Sequence, residues 1–257
     1  MFSRYVWLKG ILSGMVFGMM VSAAVHAQES TAKTPELAVY WNFDEGSGVT
    51  LKDSSGNNNN GTVKGKPTWV EGVSGKALSF SGFWTDDTNY SNDCVVCEKD
   101  IGPLTSFTVE IWVKFEQFKG EWQCIVQKGT QSAANQTHNW VLGEISHQKR
   151  IGFGTWGDPQ FFSAMPTYNL STGTWYHLAG VMDNGNLTLY INGVARPSVM
   201  SDYKSTIESP LTLGKASYNV GFYFHGTLDE FKIYKGALSA EEIKSHYETL
   251  SQKKTTE

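Results

Sequence analysis

Phe107, Val109, Ile111, Val113 and Phe115 alternate with Thr108, Glu110, Trp112 and Lys114, an unbroken period of two. Side chains of an extended strand point to opposite faces in turn, so this spacing gathers the five apolar residues on one face. A helix would scatter them around its circumference. The run predicts a half-buried antiparallel strand. Asn184-Gly185 and Asn192-Gly193 bracket the alternating stretch Leu187 to Ile191, and Asn-Gly between apolar alternations marks a tight hairpin. Further short extended runs are Leu37–Asp44, Gly75–Phe80, Val95–Cys97, Trp122–Gln127, Trp140–Ile145, Arg150–Thr155, Thr174–Met182, Leu211–Gly214 and Leu228–Tyr234. Helix is scarce: Ser239 stands three residues before Glu242, a capping box that opens one short amphipathic helix. Many short strands, glycine turns and no strand–helix–strand rhythm predict an all-β, two-sheet antiparallel jelly-roll sandwich with one short C-terminal helix.

The chain ends are read separately from that body. Arg4 and Lys9 precede an apolar run from Gly10 to Val25, and Val25-His26-Ala27 fits the small-residue cleavage pattern. Residues 1–27 are therefore expected to be a secretory signal peptide, 28–36 a flexible lead-in, 37–250 the folded domain and 251–257 a tail. The expected location is secreted, extracellular or periplasmic, with no membrane span after cleavage. Cleavage leaves 230 of the 257 residues, with 19 Lys+Arg against 25 Asp+Glu, a net charge of −6. Blocks of basic residues are absent, so a nucleic acid is not an expected partner.

Three cysteines in an exported chain allow one disulfide and leave one thiol over. Cys94-Val-Val-Cys97 lacks both the fold context of a redox pair and the second ligand pair of a zinc site. If that segment is extended, its two Cα atoms lie about 10 Å apart, too far to bridge. Cys124 would then pair with one of them; the sequence does not choose.

Two aromatic strands carry Asp-Glu, one near each end: Phe43-Asp44-Glu45 and Leu228-Asp229-Glu230-Phe231. Asp229 is expected on the pleat face of Phe231 and Ile233, where a carboxylate must be paired, hydrogen-bonded or metal-bound to stay ionised. The run from Asp53 to Asn60 is either a solvated turn or a source of neutral oxygens, including Asn57 and Asn59, for a hard cation.

The phrases Tyr40-Trp-Asn-Phe-Asp-Glu-Gly-Ser-Gly48, Asp53-Ser-Ser-Gly-Asn57, Gly75-Lys-Ala-Leu-Ser-Phe80 and Phe107-Thr-Val-Glu-Ile-Trp-Val113 occur in this order. They are followed by Trp175-Tyr-His177, Leu189-Tyr-Ile-Asn-Gly193, Gly226-Thr-Leu-Asp-Glu-Phe-Lys-Ile-Tyr234 and Leu238-Ser-Ala-Glu-Glu-Ile243. In these phrases the chain resembles the concanavalin A-like, laminin G-like jelly-roll domains of bacterial secreted proteins. The resemblance implies a structural Ca²⁺ near the joined termini, held by Asp44, Asp229 and the Asn57 and Asn59 loop. It carries over no glycan-binding residue. The same sandwich hosts lectins, adhesion modules, hydrolases and lyases, so function has to come from the site.

A retaining glucanase needs two carboxylates on one strand face about 5–5.5 Å apart. Glu110 supplies one, but Trp112 stands where the second belongs. His138, His147, His177 and His225 do not form a lyase cluster, and His177 reads as a hydrogen-bonded core residue. Trp84, Trp156, Tyr168, Tyr218 and Tyr223 lie in or beside loops, where a ring can stack on the C–H face of a sugar or pack on its own loop. Trp156 is the foremost of these, flanked by Gly154, Gly157, Asp158 and Gln160; Trp41, Trp112 and Trp175 read as core. The expectation is a non-catalytic module that binds an extracellular or cell-surface glycan. A protein-contact or adhesion module is the alternative, and a glycoside hydrolase or polysaccharide lyase a further one.

Overall fold

The computed structural model describes residues 34–253 except 83, 86–88, 91–92, 119–122, 133–134, 147–149, 157–160, 165–167, 169, 203–208 and 217–221. The expected signal peptide and most of the lead-in lie outside the described residues. In chain order the strands are β1 (Glu36–Trp41), β2 (Thr50–Leu51), β3 (Gly61–Lys64), β4 (Thr68–Glu71), β5 (Lys76–Ser81), β6 (Trp84–Thr85), β7 (Asn89–Tyr90), β8 (Cys94–Cys97) and β9 (Phe107–Phe115). They continue as β10 (Gln123–Ser132), β11 (Asn135–Ser146), β12 (Arg150–Trp156), β13 (Phe161–Ala164), β14 (Trp175–Asp183), β15 (Asn186–Ile191), β16 (Val194–Ala195), β17 (Val199–Met200), β18 (Leu211–Leu213) and β19 (His225–Lys235). Helix α1 (Ala240–Lys253) follows, and it runs past the expected domain boundary at 250.

All pairings are antiparallel, and the strands form the two sheets of a jelly-roll sandwich. One sheet has the order β16-β15-β14-β9-β19-β5-β4, with β1 also paired to β19 and β17 to β15; the other runs β13-β12-β11-β10-β18-β8-β3-β2. Hairpin β6–β7 stands apart as a third sheet. The core fills the space between the two large sheets. Phe107 of β9 reaches across to Trp140 and Phe153 of the facing sheet, with ring centroids 5.3 and 5.9 Å away. Gly180 of β14 has no side chain because Phe153 occupies that volume: a Cβ there would lie 2.6 Å from the Phe153 ring.

The alternation in β9 is real, but the strand is not half-buried. Its even residues Thr108, Glu110 and Trp112 are as inaccessible as its odd ones, because α1 lies over that outer face. The helix starts with the expected reciprocal cap: Ser239 Oγ accepts from Glu242 N at 3.2 Å and Ser239 N donates to Glu242 Oε2 at 2.7 Å. Ile243 and Leu238 then pack on Ala179, Val181 and Tyr190. Leu250 joins Trp112 and Val73, and Tyr247 stacks on Trp112 at 5.7 Å.

The three cysteines are buried free thiols, which corrects the expected disulfide. Cys94 and Cys97 are the two ends of extended β8, as the spacing implies. Strand β18 lies between β8 and β10. Cys124 is thereby two strand spacings, about 10 Å, from β8, beyond disulfide reach.

Candidate functional site

The first and last strands meet along one edge of β19. Residues Phe231 to Lys235 pair with β1 and His225 to Leu228 pair with β5, so two strands share that edge and leave a gap between them. The gap coincides with a β-bulge: Asp229 faces Trp112 of β9 and Lys232 faces Glu110, so that Glu230 and Phe231 together oppose Ile111 alone, with Glu230 at φ 52°. An extra residue rotates the strand by one face. Asp229 therefore leaves the face of Phe231 and Ile233, where simple alternation put it, and lies on the Trp112 face.

Asp229 is fully buried beneath the Gly72–Gly75 turn. Its Oδ2 accepts from Val73 N at 2.8 Å and Ser74 N at 3.2 Å, and Oδ1 accepts from Glu230 N at 2.8 Å. Burial is the main cause that pushes its carboxyl up to about 8; the charge of Glu230 adds to this, while the three amides oppose it. Asp44 holds the other side of the turn, its Oδ1 accepting from Lys76 N at 2.9 Å. Asp44 and Asp229 are thus brought to the same turn.

Asn57 and Asn59 are elsewhere. Their side-chain amides donate to the start of β1, Asn57 to Leu37 O at 2.9 Å and Asn59 to Ala38 O at 2.8 Å. The β1 segment from Ala38 to Trp41, roughly 10 Å of strand, separates them from Asp44. Asp53 organises their loop by accepting from Tyr40 N, Ser55 N and Asn59 N. Asn59 Oδ1 is buried without a partner, beside a cavity of about 180 Å³ lined by Lys99 and Lys235 as well as Glu36 and Asp100. Lys99 Nζ also takes the Asn57 carbonyl at 2.7 Å. Asp44, Asp229, Asn57 and Asn59 do not fit a single calcium shell: the acids accept from backbone amides at the Gly72–Gly75 turn, and the asparagines stand apart from them at the start of β1. Among the described residues, no cluster of three or more His, Cys, Asp and Glu can hold a metal ion.

The carboxylate of Glu230, next to Asp229, opens into a cleft. This trough of about 310 Å³ lies between β1, β19 and α1 and is lined by Tyr40, Asp44, Ser74, Glu230, Lys232 and His246, among others. Tyr40 Oη donates to Glu230 Oε2 at 2.9 Å, and Lys232 Nζ lies 3.3 Å from the same oxygen and 4.6 Å over the Tyr40 ring. Burial, then the Glu230 charge, pushes the Tyr40 phenol up, so it stays a donor. Beneath the helix side of the cleft, His246 Nδ1 lies 2.9 Å from Glu110 Oε2, and His177 Nε2 lies 3.6 Å from Glu110 Oε1. Burial pushes His177 down to about 4, against the pull of Glu110. It is a core histidine, as its strand position suggests, but its ring is not hydrogen-bonded as expected: Nδ1 is buried without a partner.

The aromatic candidates separate. Tyr223 is buried and bridges to Lys215, so it is core and not a loop platform. Tyr168 is partly buried, edge-on to Tyr176 at 6.1 Å, with Arg196 4.8 Å over its ring; its face is taken. Trp156 ends β12 opposite Phe161, a strand end where a loop was expected. Trp84 pairs with Tyr90 in the hairpin that precedes Cys94. The register from β12 through β11, β10 and β18 to β8 places Trp156 at the opposite end of the sheet from Cys94. The side chains of Trp84 and Trp156, and the whole of Tyr218, lie outside the described residues. The sequence reading overlooked Tyr40, Lys232 and His246. The one available signal was Lys232, a cation two residues from Glu230 in a strand otherwise read as core.

The model of the Concanavalin A-like lectin/glucanases superfamily matches residues 87–244. Pappalysin-1 of Mus musculus is 27% identical over 169 residues, 57% of this chain, and the human protein is 27% identical over 171 residues. The chain spans only 10% of either relative. Among solved structures, domain 4 of AbnA, a GH43 extracellular arabinanase from Geobacillus stearothermophilus in complex with arabinotriose, superposes with a TM-score of 0.64 at 22% identity, covering 82% of this chain and 98% of that one. The binding domain of Paraclostridial Mosquitocidal Protein 1 has a TM-score of 0.64 at 19% identity, covering 82% of this chain and 52% of that one. The binding domain of Botulinum Neurotoxin DC in complex with SialylT has a TM-score of 0.65 at 14% identity, covering 84% and 51%.

Proposed function

Because the chain belongs to the Concanavalin A-like lectin/glucanases superfamily, we propose that it is a secreted, non-catalytic carbohydrate-recognition module. The observation that carries the reading is the chemistry of the β1–β19–α1 cleft. Within about 310 Å³ it offers phenol, hydroxyl and ammonium donors beside carboxylate acceptors. A sugar ring presents hydroxyls that both donate and accept, and such a mixed wall suits them. Neighbouring folds support the same class: the arabinanase domain holds arabinotriose, and one toxin binding domain holds SialylT.

Binding without turnover is supported by where the acid lies. Glu110, the carboxylate on the strand face that a sandwich glucanase would use, is 1% exposed under α1. Trp112 beside it stacks on Tyr247 and admits no second acid at that place. The adhesion reading has less behind it: among the described residues the large exposed apolar side chains are Val49, Val194 and Met200, and Val49 belongs to the other sheet's edge. Calcium stays outside the proposal, since its four expected ligands do not close on one point.

The test is a glycan array on the mature protein, followed by end-group assays on whatever binds. Retention of a glycan with no release of reducing ends or unsaturated products is expected. Turnover of any glycan, or an empty array, overturns the reading.

A further inference from the structure

Resting on that reading, we infer that His246 is a ligand contact in the β1–β19–α1 cleft whose protonation sets the preference between acidic and neutral sugars. The geometry fixes how the imidazole is wired. Glu110 is an acceptor buried to 1% exposure, and the His246 nitrogen 2.9 Å away is Nδ1. A carboxylate demands a donor there, so neutral His246 carries its proton on Nδ1 and presents Nε2 as an acceptor. The residue lines the cleft and keeps a third of its side chain exposed. With Nδ1 taken and the ring stacked on Tyr234 at 6.1 Å, Nε2 is the nitrogen left to meet a ligand.

Protonation changes that atom from acceptor to donor. It also adds a second cation to a wall on which Lys232 stands beside the carboxylates of Glu230 and Asp44. The charged and titratable groups around the ring and along its cleft are Glu110 of β9, His177 of β14, Glu230, Lys232 and Tyr234 of β19, Tyr40 of β1, Asp44 just after β1 and Glu242 of α1. His177 is held neutral by burial, so it does not compete with His246 for the charge of Glu110. A neutral hydroxyl can donate to Nε2 or accept from Nε2–H, and is served in both states. A sugar carboxylate only accepts, so it is repelled by the Nε2 lone pair and held by Nε2–H.

The discriminating experiment compares trigalacturonate with galactotriose by calorimetry at pH 5 and pH 8, at both of which a uronate stays ionised. The ratio of affinities, acid over neutral, should rise about tenfold from pH 8 to pH 5, the increment of one partly exposed charge-assisted hydrogen bond. His246→Asn places an amide N–H where Nδ1 was and keeps the bond to Glu110, yet cannot titrate. It should melt close to the unmodified protein and show a ratio independent of pH. Long-range ¹⁵N–¹H spectra should find the Nδ1–H tautomer at pH 8. An Nε2–H tautomer, a pH-independent ratio in the unmodified protein, or the same rise in His246→Asn overturns the inference. If neither probe binds at either pH, the inference falls, while the array decides separately whether the chain binds glycans at all.

Discussion

Replacing Asp229 removes the group that closes the gap between β1 and β5. Three backbone N–H groups point at its carboxylate, two of them on the buried residues Val73 and Glu230 and the third, Ser74, on the cleft rim. A buried donor left without an acceptor costs about 1–3 kcal/mol. Water can reach Ser74, so two orphaned amides set the scale, and Asp229→Ala should destabilise the fold by about 4 kcal/mol. For a domain of this size that corresponds to a melting-temperature drop of about 8–16 °C. Asp229→Asn keeps one oxygen for Glu230 N but turns an NH₂ toward Val73 and Ser74, donor against donor, and should lose nearly as much. The pH dependence gives a second signature. The carboxyl is pushed up to about 8 in the fold, against about 3.9 in an unfolded chain. Between those values the folded state holds the proton and the unfolded state does not, so this group's contribution is complete below about pH 4 and is lost as pH rises through 8. His177, pushed down to about 4, tilts the opposite way, its contribution lost as pH falls from about 6.5 to 4. The informative quantity is therefore the difference between unmodified and Asp229→Asn unfolding free energies from pH 4 to 9, measured by denaturant titration. A melting drop under about 2 °C in both variants, with a flat difference curve, would refute the account of the bulge.

Lys232→Ala and Tyr40→Phe should each weaken binding of an array-selected glycan about tenfold, while Trp156→Ala changes it less than twofold; the reverse order moves the site to the far end of the second sheet. Gly75→Ala should lower stability by about 2–4 kcal/mol in a denaturant titration, because φ is +61° and the new Cβ would overlap Asp44 Oδ1. A chelator should leave the melt unmoved, since Asp44 and Asp229 accept from backbone amides and the two asparagines stand apart from them along β1; a fall of several degrees with EDTA, reversed by Ca²⁺, would show that an ion is seated after all.

The strands were legible because each records its neighbours locally. Period-two alternation located β9 at Phe107–Phe115 to the residue, and the Asn-Gly hairpins appear with Asn184, Gly185, Asn192 and Gly193 all at positive φ. The cover over β9 was harder to read. A strand written as apolar inside and mixed outside looks half-exposed, and only the docking of a helix 130 residues later makes Glu110 and Trp112 interior. Long-range burial leaves no periodic trace in the strand being buried. The bulge in β19 was hidden for a related reason. Counting by twos from Phe231 assigns Asp229 to the core face, and nothing in the letters announces the extra residue Glu230.

That hidden residue also explains why the site differs from expectation. With perfect alternation Asp229 and Asp44 would be two acids seeking a cation at the joined ends of the chain. The bulge turns Asp229 under the Gly72–Gly75 turn, where backbone amides serve it, and exposes the neighbouring carboxylate of Glu230 to Tyr40 and Lys232. One inserted residue thus splits the Asp-Glu pair into a structural acid and a cleft acid. The loop aromatics could be nominated from sequence because exposed rings are conspicuous. A cleft made from the inner ends of β1 and β19 and roofed by α1 requires three elements to meet, and it became visible only once they were placed.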